Sequence, residues 1–132
     1  MPDLPAHYSF TKLVVVDLEK SAAFYRDVFG LQETTRIRAE VRGRGLEEIL
    51  FNPTGEGAAT FVLLRFDDAT TPSSDELILG FHTSDVDALA GRAIAAGGAL
   101  VRETQDFPHL GVRVAFIADL EGHQIEVVQE VA

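Results

Sequence analysis

The sequence predicts an α+β domain built from two tandem βαβββ units, and three observations carry that prediction. First, an Asp that opens a helical pattern closing on glycine occurs twice: Asp17 with "LEKSAAFYRDVFG" to Gly30, and Asp85 with "VDALAGRAIAAGG" to Gly98. Second, both the Asp and the Gly recur after the same 68 residues (85 − 17 and 98 − 30). Third, each helical pattern is preceded by one short β-rich run and followed by three more, separated by turn residues.

The elements follow in order. "FTKLVVV", from Phe10 to Val16, is β-branched and apolar, as a buried strand requires. In the first helix Leu18, Ala22, Tyr25 and Phe29 lie on one stripe while Glu19, Lys20, Arg26 and Asp27 point elsewhere. Asp17 fits an N-cap and Gly30 the residue just past the C-terminus. Strands are then expected near "QETTRIRAEV", "EEILFN" and "ATFVLLRF", broken by "RGRG" and "NPTGEG". The polar "DDATTPSSD", Asp67 to Asp75, contains Pro72 and reads as the connector. The second unit repeats the order with "ELILGFHT", the helix after Asp85, then "ALVRETQ", "VRVAFIAD" and "QIEVVQE", broken by "FPHLG" and "LEGH". A single domain over 1–132 is therefore expected, with one unit at about 8–68 and the other at about 75–130.

Composition narrows the function classes. With 46% hydrophobic and 24% charged residues, and no long apolar run, the chain has the make-up of a globular domain. The first ten residues lack the basic start and apolar block of a secretory signal, so a cytoplasmic address is expected. There is no cysteine, which excludes disulfides and thiolate chemistry. Twenty-one acidic against 11 basic residues give a net charge of −10, which disfavours nucleic acid and favours a neutral or cationic small molecule. "VRGRG" is too small a basic patch to change that, and "GRG" and "GEG" lack the strand-to-helix setting of a phosphate loop.

"VVVDLEKSAAFYRDVFGL" and "VAFIADLEGHQIEVVQ" resemble the two signature segments of the glyoxalase/bleomycin-resistance group, the vicinal oxygen chelate superfamily. The likeness spans roughly residues 8 to 130. It implies that each unit folds into a curled, mixed sheet whose concave face lines a cavity, that two units make one site, and that a homodimer forms. It also implies four metal-ligand positions, one from the first and one from the last strand of each unit. By spacing to the following Asp, the first-strand positions are Phe10 and Ile78; the last-strand positions are Glu126 and Leu63, with Leu64 the alternative if the register slips by one. Phe, Leu and Ile offer no donor atom, so one carboxylate is left where a divalent cation needs several N or O ligands. No metal and no cofactor is therefore expected.

Strand alternation then groups the neighbours. Phe10 brings Lys12, Leu63 brings Phe61 and Arg65, Ile78 brings His82, and Glu126 brings Gln124. The expected site is an apolar wall of Phe10, Phe61, Leu63 and Ile78, oriented by Lys12 and Gln124, with Phe107 folding over its mouth beside His109. Glu126, His82 and Arg65 are the candidate catalytic groups. Glu126 stands open between three roles: a carboxylate neutralised by Lys12 or Arg65, a general acid or base in an apolar surround, or an ionised anchor beside a cation. His123, after Gly122 in a turn, is expected to face solvent. A rival metal set of His82, His109 and Glu126 has no supporting local spacing. Three functions follow: a binding protein for a small organic ligand, a metal-independent isomerase or lyase using Glu126, and a metal-dependent lyase or dioxygenase with unusual ligands. No nucleic-acid or membrane partner is expected.

Overall fold

The computed structural model describes residues 5–131, and both predicted units are present in it. Strand β1 (Phe10–Val14) leads into helix α1 (Leu18–Phe29), followed by β2 (Glu33–Val41), β3 (Arg44–Phe51) and β4 (Thr60–Phe66). The second unit repeats this as β5 (Ile78–His82), α2 (Val86–Ala95), β6 (Ala99–Phe107), β7 (Val112–Ala118) and β8 (Gln124–Glu130). The strands form two four-stranded sheets, ordered β1-β4-β3-β2 and β5-β8-β7-β6. In each the first strand pairs parallel with the last and the other pairings are antiparallel, so both sheets are mixed. No helix among the described residues is long and apolar enough to cross a membrane.

The local signals act as expected. The Asp17 carboxylate accepts from the Lys20 N–H at 3.0 Å, and the Asp85 carboxylate accepts from the Ala88 N–H at 3.0 Å. Each satisfies a donor that the first helical turn leaves unpaired. Gly30 closes α1 at φ 74°, which glycine adopts without steric cost. In α2 the left-handed residue is Gly97 at φ 98°, one position before the glycine the repeat singles out. Gly98 serves a different need: a Cβ there would lie 2.5 Å from the Ala118 carbonyl oxygen and 2.9 Å from the Phe24 ring. Strand β3 starts earlier than predicted because Arg42 and Gly43 both take positive φ, 53° and 77°, and form a two-residue hairpin turn.

The helices pack on one face of the sheets in a single apolar core. Leu13, Ile49 and Leu63 of the first sheet and Ile117, Ile125 and Val127 of the second meet the buried side chains of α1 and α2. A polar latch crosses between the units. The Tyr25 hydroxyl of α1 donates to Asp119 Oδ2 at 2.7 Å, and Asp119 also binds His123 Nδ1 at 2.9 Å. From the same β7–β8 turn, Glu121 accepts from the backbone N–H groups of Val16 and Asp17, both at 2.8 Å. The turn thus docks on the β1–α1 junction, and His123 is only 2% exposed, not solvent-facing as its place in a Gly-containing turn suggests.

Candidate functional site

Residues opposite one another in neighbouring strands point to the same side of a sheet. Phe10, Lys12 and Val14 of β1 stand beside Thr60, Val62 and Leu64 of β4, and Leu64 stands beside Glu48 of β3. These side chains form the face of the first sheet opposite its helix. Leu13, Ile49 and Leu63 share the other face and are buried in the core. In the second sheet Ile78, Gly80 and His82 stand beside Gln124, Glu126 and Val128. These define the corresponding open face.

The pairing corrects the expected register. Phe10 and Ile78 face Thr60 and Gln124 respectively, so the internal counterpart of Glu126, two residues beyond Gln124, is Val62. Neither Leu63 nor Leu64 holds that position. Leu63 points into the core at full burial, and Phe61 and Arg65 share its side of the strand. The four positions therefore read Phe10, Val62, Ile78 and Glu126. A single carboxylate among three hydrocarbon side chains does not fit a divalent cation, which needs several N or O donors.

The charged candidates separate as well. Lys12 Nζ lies 2.7 Å from Glu48 Oε2, and Glu48 is 2% exposed. The contact lies outside hydrogen-bond alignment, so it is mainly coulombic. Arg65 donates from Nε to the Val16 carbonyl at 2.7 Å and lines a small recess with Asp17, Glu19 and Glu47. Neither cation reaches Glu126. Among the described residues Glu126 has no ion-pair partner within 4.0 Å, and its β5 neighbour is Gly80, where even a Cβ would meet nothing within 4 Å. Open space therefore adjoins the half-buried Glu126. Gln124 is beside Ile78 on the same face. His82, His109 and Glu126 are not brought together: no cluster of three His, Cys, Asp or Glu side chains suited to a metal occurs among the described residues. His109 is exposed in the β6–β7 turn, its ring 6.3 Å from that of Phe107.

Where β1 and β5 leave their outer edges unpaired, a cleft of about 780 Å³ opens between the units. Its walls take in Phe29, Phe61, Ile78, Phe81, His82 and Arg92, but not Phe10, Lys12, Gln124 or Glu126. Phe29 and Phe81 stack across the units with ring centroids 4.0 Å apart, and Phe61 joins them through Tyr25, at 4.9 Å. Glu48 and Arg92 escaped the sequence reading. Alternation along "GLEEILF" places Glu48 and Lys12 on possible shared faces, but only the pairing register joins them; nothing local marks Arg92.

The sequence model of the Glyoxalase/Bleomycin resistance protein/Dioxygenase superfamily matches residues 6–127. Among solved structures, a glyoxalase family protein from Bacillus cereus superposes with a TM-score of 0.82 at 21% identity, over 99% of this chain and 97% of that one. A glyoxalase-related enzyme from Fulvimarina pelagi gives 0.64 at 26% identity, over 94% and 88% of the two chains. Glyoxalase I from Zea mays gives 0.75 at 21% identity, covering 98% of this chain and 48% of its own. No curated protein matches. With the family model spanning both units and the βαβββ repeat present in the fold, the chain belongs to the Glyoxalase/Bleomycin resistance protein/Dioxygenase superfamily.

Proposed function

We propose that this chain binds a small organic molecule in a largely apolar groove on the open face that carries Glu126, without a metal. The observation that carries the reading is the replacement of donor atoms at three inherited positions by Phe10, Val62 and Ile78, with Glu126 left unpaired beside the bare Gly80. An apolar wall with one orienting carboxylate and the amide of Gln124 suits an organic ligand with a cationic or hydrogen-bond-donating group. A homodimer belongs to the proposal: Phe10 and Ile78 are 52% and 57% exposed, and a second copy laid over these faces would cover them and close the groove.

The free carboxylate also supports a second reading, a metal-independent isomerase or lyase in which Glu126 transfers a proton at a bound substrate. Turnover separates the two. A binding protein protects against or retains its ligand up to one equivalent per site, whereas an enzyme converts many equivalents. Thermal melts with and without chelator and added Ni, Zn, Fe or Mn, joined to elemental analysis, test the metal-free premise. Stoichiometric metal with metal-dependent stabilisation would overturn it.

A further inference from the structure

We propose that the cleft between the two units is a second ligand site, selective for planar aromatic carboxylates and using Arg92 as the counter-ion. This goes beyond the groove reading: the cleft shares Ile78 and Gly80 with the groove's edge, but it runs on to Arg92 and the Phe29–Phe81 pair at the unit seam and excludes Glu126. Its charge is opposite to that of the chain as a whole. The protein carries 21 acidic residues and a net charge of −10, yet among the described residues no Asp or Glu lines the cleft, and its ionisable lining there is Tyr8, His82 and Arg92. Local lining, not net charge, sets the potential felt by a bound group a few ångströms away. The net charge alone points to a cationic ligand; this cleft favours an anion.

Arg92 is set up for that role. Lys12, Arg26, Arg36, Arg38, Arg44 and Arg113 are all committed to carboxylates. Arg92 has no such partner among the described residues. Its Nε donates to the Val28 carbonyl at 3.2 Å, which anchors the guanidinium and leaves the terminal nitrogens with no bonded partner among those residues. A planar fork held in place can take a carboxylate through two parallel bonds. The lining supplies the complementary surface: the stacked Phe29–Phe81 pair and Phe61 give it aromatic contact area of the kind an aromatic ring packs against. Thr11, Asn52 and Thr83 add neutral hydrogen-bonding groups at the wall.

Naphthalene-2-carboxylate and its neutral analogue naphthalene-2-methanol test the assignment by fluorescence anisotropy, since the chain has no tryptophan to interfere. The carboxylate is expected to bind saturably at one per chain and about tenfold more tightly than the alcohol. Arg92→Gln should abolish that preference, weakening the carboxylate about tenfold and leaving the alcohol unchanged; Glu126→Gln should alter neither. Because Arg92 also bonds the helix α1 carbonyl, the Arg92 Nε–H resonance of the unaltered protein is followed in the same titration and should shift with the carboxylate only. Equal affinity for the two probes, no binding, or a stationary Arg92 resonance overturns the cleft site. Sensitivity to Glu126→Gln without sensitivity to Arg92→Gln also overturns it while supporting the groove, so the two readings fail separately.

Discussion

Glu48 and Glu126 stand on the faces of the two sheets that point away from the helices, and the fold treats them oppositely. Glu48 is sealed at 2% exposure with Lys12 against it, whereas Glu126 is half-buried beside a glycine with no ion-pair partner within 4.0 Å among the described residues. A carboxylate buried with a partner contributes to holding the structure; one left unpaired at a surface with open space serves the structure little and is available to a ligand. Asp119 lies at the paired extreme, receiving Tyr25 and His123 together at the seam. The difference shows which charges the fold uses and which it leaves free, and substitutions can measure it.

The largest effect is expected at the seam. Burial pushes the Asp119 carboxyl up, but hydrogen bonds from His123 and Tyr25 outweigh it and hold its pKa below the usual 3.8. Burial likewise pulls His123 down, yet the bond and charge of Asp119, the charge of Glu121 and the nearby Ser73 backbone raise it above 6.5. Burial, then Asp119, keep the Tyr25 hydroxyl protonated well beyond its ordinary range. The stabilisation from Asp119 is present above pH 3.8 and lost as pH falls through its lowered pKa; that from His123 is present below 6.5 and lost as pH rises through its raised one. Asp119→Asn should therefore cost about 3 kcal/mol, with the deficit greatest between the two ordinary values. Urea denaturation of both proteins across the pH range checks this, and a deficit that stays flat with pH would break the latch.

Next in size is Lys12. Lys12→Met strands the buried Glu48 charge and should cost about 2 kcal/mol, less than a fully buried pair because the Lys12 side chain is partly exposed. The double change Lys12→Met with Glu48→Leu should restore most of that loss, since a buried pair and an apolar pair of similar volume are often close in stability. Guanidinium unfolding of the single and double variants gives the comparison directly. If the double variant is no more stable than Lys12→Met, the carboxylate is not the source of the cost.

The parts of this contrast that a sequence reading reaches are those encoded locally. Asp17, Asp85 and Gly30 mark helix ends because capping is satisfied within a few residues of chain. Strand alternation puts Glu126, Gln124 and Ile78 on one side, and the β5–β8 pairing shows them on a shared face because both strands alternate between open and core sides. It misplaces the β4 position because "TFVLLRF" lies inside the sheet and is buried on both sides: Val62, Leu63 and Leu64 are all buried although only Leu63 joins the core, so no alternation marks which one lies on the face opposite the helix. The Lys12–Glu48 pair and the Asp119–His123–Tyr25 latch join residues far apart in the chain, and a turn histidine reads as exposed until the surface on which the turn docks is known.

The smallest structural effect, and the one that bears on function, belongs to Glu126. With no ion pair to lose and open space beside Gly80, Glu126→Gln removes only an unpaired charge, so the stability change should stay within about 0.5 kcal/mol. Ligand binding should respond far more: a cationic ligand held by the carboxylate should weaken about tenfold, whereas a substrate deprotonated by it should bind nearly as before and lose turnover. Calorimetric titration beside a thermal melt separates these outcomes. A melt lowered as much as that of Lys12→Met would mean that Glu126 belongs with Glu48 among the charges the fold consumes, and the groove would lose its one distinguishing group.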